Sequence, residues 1–220
     1  MTAPSTPDTS PLFTDLYQLT MLQAYWREGM DEPAVFDLFV RRLRNRNYLL
    51  ACGLEQCLSF LEDLSFSEED LAYLAEQETF EDAFLEWLAD FEFTGDVYAV
   101  AEGTPVFPDE PIVEVVAPIG EAQLVETFLL NQITYQTNLA SKAARVVEAA
   151  GGVASDRLVA DFGMRRMHGT DAAMKAARAG YIAGVDATSN VAAGQRYGLP
   201  ITGTMAHSYV EAHDAEMEAF

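Results

Sequence analysis

The sequence predicts an α/β protein in two parts, a mixed α/β domain over residues 1–150 and the first βα units of a parallel sheet or barrel over residues 151–220. Three observations predict it. In the first part, apolar residues recur at helical spacing in several stretches separated by short β-branched and aromatic runs. In the second part, three apolar runs recur about twenty residues apart, with helical patterns between and after them. Finally, each of those runs ends in a polar or glycine-rich stretch, the sequence form of a strand end that feeds a loop.

Taken in order, a tail rich in Pro, Ser and Thr gives way to Thr14, placed to cap a helix from Asp15 to Glu28 that Gly29 ends. Leu16, Leu19, Leu22 and Trp26 form one apolar stripe, and Tyr17, Met21, Ala24 and Tyr25 a second, so the helix is expected to be largely buried. Val35 to Val40 reads as a short strand leading through the arginine-rich loop Arg41 to Asn47 into a helix around Leu49 to Leu64. Two acidic amphipathic helices follow, near Glu68 to Glu76, started by Ser67, and near Glu81 to Phe91. Gly103, Pro105, Pro108 and Pro111 punctuate short strands between Gly95 and Pro118, the pattern of a small sheet. A long helical stretch then runs from Glu121 to about Ala150, where Gly151 and Gly152 stop it.

The repeat begins after those glycines. Its strand-like runs are Leu158 to Ala160, Tyr181 to Val185 and Ile201 to Thr202. Three units do not close an eight-stranded barrel, and Phe220 falls inside an amphipathic helical pattern, so further βα units are expected beyond it.

The formal charge is -22, and it is unevenly spread. Residues 1–150 carry 27 acids and 7 bases, whereas residues 151–220 carry 8 acids and 6 bases, and no Lys or Arg lies between Arg46 and Lys142. Such a chain lacks the basic stripe that a phosphate backbone demands, which excludes nucleic acid as a partner. The acid reads as a solvated surface kept soluble by self-repulsion, as in a salt-rich cytoplasm, with a specific basic partner as the alternative. No apolar run reaches the roughly 20 residues of a membrane span, and the first residues have neither basic nor apolar signal character, so a cytoplasmic setting with no membrane partner is expected. Cys52 and Cys57 match neither a zinc nor a CxxC spacing and read as reduced core or helix residues.

The candidate chemistry sits at the three strand ends, where active sites of βα folds form. Arg165 and Arg166 follow Gly163, whose backbone lets a ligand approach closely, and adjacent planar guanidinium forks suit a carboxylate or a phosphate. Ion pairs with Asp161 or Asp171 are the competing use of the two arginines. Thr188, Ser189 and Asn190 offer hydroxyl and amide groups for a helix N-terminus, which binds phosphate, and capping by Ser189 or Thr188 accounts for one of the three. Gly203 and Thr204 lead into His207, which Ser208 follows, and a histidine flanked by hydroxyls there is either a structural hydrogen bonder or a catalyst. No His/Cys/Asp group has metal-ligand spacing, so any metal is expected to arrive on a phosphate ligand.

Four segments in this order, Thr14-Asp-Leu-Tyr-Gln-Leu-Thr-Met21, Asp161-Phe-Gly-Met-Arg-Arg166, Asp186-Ala-Thr-Ser-Asn-Val191 and Gly203-Thr-Met-Ala-His-Ser208, resemble the nicotinate phosphoribosyltransferase family. The resemblance runs from about Leu12 onward, and Phe36 to Arg42 and Gly53-Leu-Glu55 share it. It implies a type II phosphoribosyltransferase fold, in which the mixed α/β domain packs on an irregular TIM-like α/β barrel. It also implies the reaction of nicotinate with 5-phosphoribosyl 1-diphosphate to nicotinate mononucleotide and diphosphate, with Mg²⁺ on the diphosphate and ATP hydrolysis coupled through a phosphohistidine. His207 matches the phosphorylated position. Arg165 and Arg166 would hold the nicotinate carboxylate and a substrate phosphate, Thr204 would line the nicotinate site, and Ser189, Asn190, Gly163 and Ser208 would lie near substrate. Tyr17 would reach the pyridine ring in the neighbouring subunit of a homodimer. The loop Arg41 to Asn47 departs from the family in lacking a Pro-Phe-Gly-Gly type of segment. Two other readings remain: a sister enzyme acting on nicotinamide or quinolinate, and a truncated or split fragment serving as an interaction module.

Overall fold

A computed structural model describes residues 10–43 and 46–213, so Arg44 and Asn45 of the arginine-rich loop lie outside the described residues. Contacts divide the chain into two compact units, one up to Lys142 and one from Ala143.

In the first unit the elements run α1 (Leu16–Glu28), β1 (Pro33–Phe39), β2 (Leu49–Leu50), α2 (Leu54–Glu62), α3 (Glu68–Glu76), α4 (Asp82–Leu88), β3 (Asp96–Ala99), β4 (Pro105–Val106), β5 (Pro111–Pro118), α5 (Ile119–Leu124) and α6 (Glu126–Ala149), the last continuing into the second unit. Proline and glycine break the stretch before α5 into the short strands β3, β4 and β5, which pair with β1 and β2 as an antiparallel sheet in the order β1-β5-β3 and a separate β2-β4 ladder. Val35 faces Val116 and Phe36 faces Val115, the β-branched and aromatic pairing that stabilises such a ladder. Helices cover the sheet with one continuous core containing Leu22, Phe60, Phe84, Leu88, Val113, Val125 and Ile133. Phe60 stacks on Phe128 with ring centroids 3.8 Å apart. Phe84, wholly buried, has Trp26, Phe80 and Trp87 around it at 5.7, 5.9 and 5.8 Å.

Ser67 starts α3 as expected, through a capping box in which its hydroxyl accepts from the Asp70 N–H and the Asp70 carboxylate accepts from the Ser67 N–H. Such a cap contributes about 0.5 to 2 kcal/mol. Gly29 ends α1 in the left-handed conformation, φ 67°.

Several expectations for this unit need correction. Asp15, not Thr14, occupies the N-cap of α1, and its carboxylate accepts from Thr127 on α6 at 2.9 Å, while the Thr14 hydroxyl is buried with no partner. Only one face of α1 is covered, by way of Gln18, Leu19, Leu22 and Gln23; Leu16 and Tyr17 remain 62% and 48% exposed, because α5 and α4 pack on one side. Leu49 and Leu50 are strand, not helix, since their partners are Val106 and Pro105; the helix begins only at Leu54, where the Glu102 carboxylate accepts from the Gly53 and Leu54 N–H groups at 2.6 and 3.1 Å. The helix expected from Glu81 to Phe91 spans Asp82–Leu88. The long helix is two, α5 and α6, separated by Val125, across which backbone hydrogen bonds continue from Val125 to Glu121 and from Leu129 to Val125. Cys52 and Cys57 are both buried thiols.

The second unit holds β6 (Ala160–Asp161), a 3₁₀ turn (Met164–Arg166), α7 (Thr170–Ile182), β7 (Ala187–Thr188), α8 (Val191–Tyr197) and α9 (His207–Glu211). β6 and β7 are parallel, and Ile201 adds a parallel bridge to Thr188, which makes three consecutive parallel strand positions. The apolar run Tyr181 to Val185 is not a strand. Tyr181 and Ile182 finish α7, Gly184 turns the chain, and the strand comes at Ala187, because the apolar run serves the last helical turn and Val185 the core behind it. Small residues allow close packing here. α7 buries Ala173, Ala176, Ala177, Ala179 and Gly180, and a Cβ at Gly194 of α8 would stand 2.3 Å from Cγ2 of Ile201. No described helix is long and apolar enough to cross a membrane.

Candidate active site

The ends of the three parallel strand positions are tied together by hydrogen bonds. Ser189 N–H donates to the Asp161 carbonyl at 2.8 Å, Thr188 N–H to the Pro200 carbonyl and Thr202 N–H to the Thr188 carbonyl, both at 3.0 Å. The Asp161 side chain adds a clamp, since one carboxylate oxygen accepts from Gly163 N–H at 2.8 Å and the other from the Thr188 hydroxyl at 3.0 Å. The turn that carries the arginines is thereby fixed to the end of β7.

Beyond this clamp lies an open cavity of about 1140 Å³ whose polar lining comes from all three strand ends: Arg165 and Arg166 after β6, Ser189 after β7, and Thr202, Thr204 and His207 after Ile201. Phe162, Met164, Val191, Ile201 and Met205 form its apolar walls. Arg166 is braced by its own turn, its N–H donating to the Gly163 carbonyl at 2.8 Å and its Nη1 to the Phe162 carbonyl at 3.2 Å. Neither arginine forms an ion pair with a described residue. Asp171 is taken by Lys175, and Asp161 by the clamp. Among the described residues no carboxylate lines the cavity, so two cationic forks, three hydroxyls and an imidazole face it without a described competing anion. Such a lining suits an anionic ligand with an apolar part.

The remaining sequence candidates fall outside that lining. Asn190 is buried and caps α8, its Oδ1 accepting from Ala193 N–H at 3.1 Å and its Nδ2 donating to the Ala173 carbonyl at 3.3 Å. The cap is thus Asn190, not Ser189 or Thr188: a longer side chain reaches the third amide of the helix while Thr188 serves Asp161. Gly163 shapes the arginine turn, and a Cβ there would stand 2.7 Å from Cε of Met167 and 2.9 Å from the Asp161 carboxylate. Ser208 follows His207 in the first turn of α9. His168 is exposed, and His213 meets the Tyr209 carbonyl at 2.8 Å. Among the described residues no group of three or more His, Cys, Asp or Glu has the geometry to hold a metal ion.

Tyr17 belongs to the first unit and borders a separate cavity of about 590 Å³ between the start of α1 and α6. Partial desolvation of its phenol, and then the charges of Glu126 and Asp15, push its ionisation above the ordinary tyrosine range. Sequence reasoning passed over Asp161 as a clamp and Glu126 beside Tyr17. For Asp161 a signal existed in the Asp-x-Gly spacing, which suits a carboxylate accepting from the N–H two residues on. For Glu126 there was none, because two of its partners, Tyr17 and Gln18, lie more than 100 residues away.

Residues 12–134 match the family model of the nicotinate phosphoribosyltransferase N-terminal domain. Among known proteins, the chain is 58% identical over 210 residues to nicotinate phosphoribosyltransferase pncB2 of Mycobacterium tuberculosis, covering 95% of this chain and 44% of that protein. It is 47% identical over 215 residues to the nicotinate phosphoribosyltransferase of Bacillus subtilis, covering 97% and 43%. The fold matches the crystal structure of human nicotinic acid phosphoribosyltransferase with a TM-score of 0.81 at 36% identity, over 90% of this chain and 40% of that one. The chain therefore spans less than half the length of the relatives it matches. With the mixed α/β fold, the strand-end cavity and these likenesses together, the chain belongs to the nicotinate phosphoribosyltransferase family, whose N-terminal domain it carries.

Proposed function

We propose that this chain supplies substrate-binding strand ends to an enzyme that joins nicotinate to the phosphoribosyl group of 5-phosphoribosyl 1-diphosphate, giving nicotinate mononucleotide and diphosphate in NAD salvage. The observation that carries the reading is the convergence of Arg165, Arg166, Ser189, Thr204 and His207 on one cavity that no described carboxylate lines. One guanidinium fork takes the nicotinate carboxylate and its neighbour a substrate phosphate. The apolar walls take the pyridine ring beside Thr204. Gly163 and Asn190 act by holding the turn and the α8 terminus that present these groups, with Ser208 next to His207.

Breaking the bond at ribose C1 leaves positive charge on the sugar and negative charge on the departing diphosphate. Fixed arginine donors stabilise the latter most when the bond is breaking, which lowers the barrier. Mg²⁺ enters this scheme as part of the diphosphate and ATP substrates. Among the described residues the lining offers hydroxyls and no carboxylate, whereas Mg²⁺ demands hard oxygen ligands and keeps those of phosphates. ATP acts as co-substrate by passing its γ-phosphoryl group to a ring nitrogen of His207 as the β–γ P–O bond breaks and ADP leaves, and the place of His207 on the cavity wall lets the added charge meet the arginines.

Nicotinate against nicotinamide is the direct test, by calorimetric titration of the intact enzyme that carries this segment. A charge-assisted bond contributes roughly 1.5 to 3 kcal/mol, so nicotinate should bind about ten- to a hundredfold tighter. Equal affinity for the amide would remove the carboxylate from the site and the assignment with it.

The same reading makes the enzyme a cytoplasmic homodimer. On α1, the uncovered stripe containing Tyr17 asks for a second surface, and a partner subunit provides one if Tyr17 reaches the partner's pyridine site. Light scattering on the active enzyme should give twice the protomer mass. A monomer at full turnover contradicts the dimer.

A further inference from the structure

Tyr17 ends in a polar network that the proposed reaction leaves without a task. Gln18 is fully buried and Gln123, on α5, nearly so, although neither is an apolar residue. Their amides are paired with each other and with one acid. Gln123 Nε2 donates to Gln18 Oε1 at 2.5 Å and to Glu126 Oε2 at 2.9 Å; Gln18 Nε2 donates to the same Glu126 oxygen at 2.8 Å and to the Tyr17 phenol at 3.0 Å. The phenol in turn donates to Glu126 Oε2 at 3.5 Å. One carboxylate oxygen thus collects three donors, two of them from amides locked by burial. A glutamate in the first turn of α6 has a simple use in complementing the helix terminus, yet here it points across to α1 and the aromatic side chain.

We propose that Glu126 is a positioning residue: with Gln18 and Gln123 it sets the Tyr17 ring before ligand arrives. The proposal rests on the reading in which Tyr17 contacts the pyridine ring. Its physical sense follows from the ligand. A phenol already held by fixed hydrogen bonds presents its ring to the ligand at low entropic cost. The titratable groups around the phenol are Asp15, before α1, Glu126, on α6, and Tyr135, which lines the same cavity. Asp15 is itself fixed by the Thr127 hydroxyl, so both acids near the phenol are held in place.

The test uses Glu126→Gln, nearly isosteric but uncharged, and Glu126→Asp, which keeps the charge on a shorter arm. In the chain labelled at tyrosine Cζ, with the Tyr17 resonance assigned from its loss in Tyr17→Phe, E126Q should titrate at lower pH than wild type and E126D should stay close to it. In the intact enzyme, E126Q should raise KM for nicotinate roughly tenfold with kcat changed by less than about twofold, the signature of lost binding common to ground and transition states. E126D should recover most of that loss. An unchanged Tyr17 titration in E126Q, or an unchanged KM in E126Q where Y17F raises it, overturns the positioning role. Loss of folding in E126Q also overturns it, in favour of a purely structural acid. If Y17F itself leaves KM alone, the underlying reading of Tyr17 fails, a result distinct from the other three.

Discussion

Replacing Arg166 by alanine is expected to weaken nicotinate binding by about thirtyfold or more, since removing one partner of a desolvated charged hydrogen bond costs about 2 to 5 kcal/mol. The structure explains why this residue should matter without being needed for folding. Among the described residues its side chain makes one hydrogen bond, to the Phe162 carbonyl, and no ion pair. That single bond holds the fork in place, and the rest of the guanidinium faces the cavity. Folding stability should accordingly change by no more than about 0.5 kcal/mol, as for an exposed substitution. Arg166→Lys should be intermediate, because an ammonium keeps the charge and loses the planar fork. Calorimetric titration with nicotinate and a thermal melt of each variant separate binding from folding. Undiminished affinity in R166A would place the carboxylate elsewhere.

The second large effect concerns His207. In the intact enzyme, incubation with Mg·ATP should add one acid-labile, alkali-stable phosphate, because a phosphorus–nitrogen bond hydrolyses once the ring is protonated. His207→Asn keeps a polar side chain on the cavity wall and removes both ring nitrogens, so the label and the stimulation by ATP should vanish. Slow transfer without ATP should persist, since Arg165 and Arg166 remain to stabilise the departing diphosphate. Radiolabelling with a phosphate-labelled ATP, followed by acid and alkali treatment, reads the result. Label persisting in H207N moves the phosphate to another side chain, with His168, also after the arginine turn, next in line.

Much of the strand-end site was legible because its chemistry needs particular residue types. Paired arginines, a run of hydroxyls and a histidine after three apolar runs are hard to place except at the ends of successive parallel strands, and the cavity gathers most of them. Asn190 shows where composition stops informing. Thr, Ser and Asn are all capable of capping, and only the position of Ala193 N–H and of Asp161 decides that Asn190 caps while Thr188 closes the clamp. The run Tyr181 to Val185 failed for a related reason. A last helical turn and a two-residue strand have the same apolar content, and the turn at Gly184 separates them only in three dimensions. In the first unit, period and punctuation located α3 to the residue through its cap, whereas the burial of α1 was overestimated because two stripes on one helix do not say which of them the chain itself covers. Buried glutamines lie furthest from sequence reasoning. Gln18 is inside because Gln123, 105 residues on, completes its hydrogen bonds, and no local pattern encodes that meeting.

The aromatic cluster around Phe84 has a spectroscopic consequence. The chain's two tryptophans, Trp26 and Trp87, both pack against that ring, and none lies after Lys142. Indole emission therefore reports the melting of the first unit alone. The unit that carries the arginine turn and His207 is silent at that wavelength, and its unfolding has to be followed through its tyrosines, Tyr181, Tyr197 and Tyr209, or through its helices by circular dichroism.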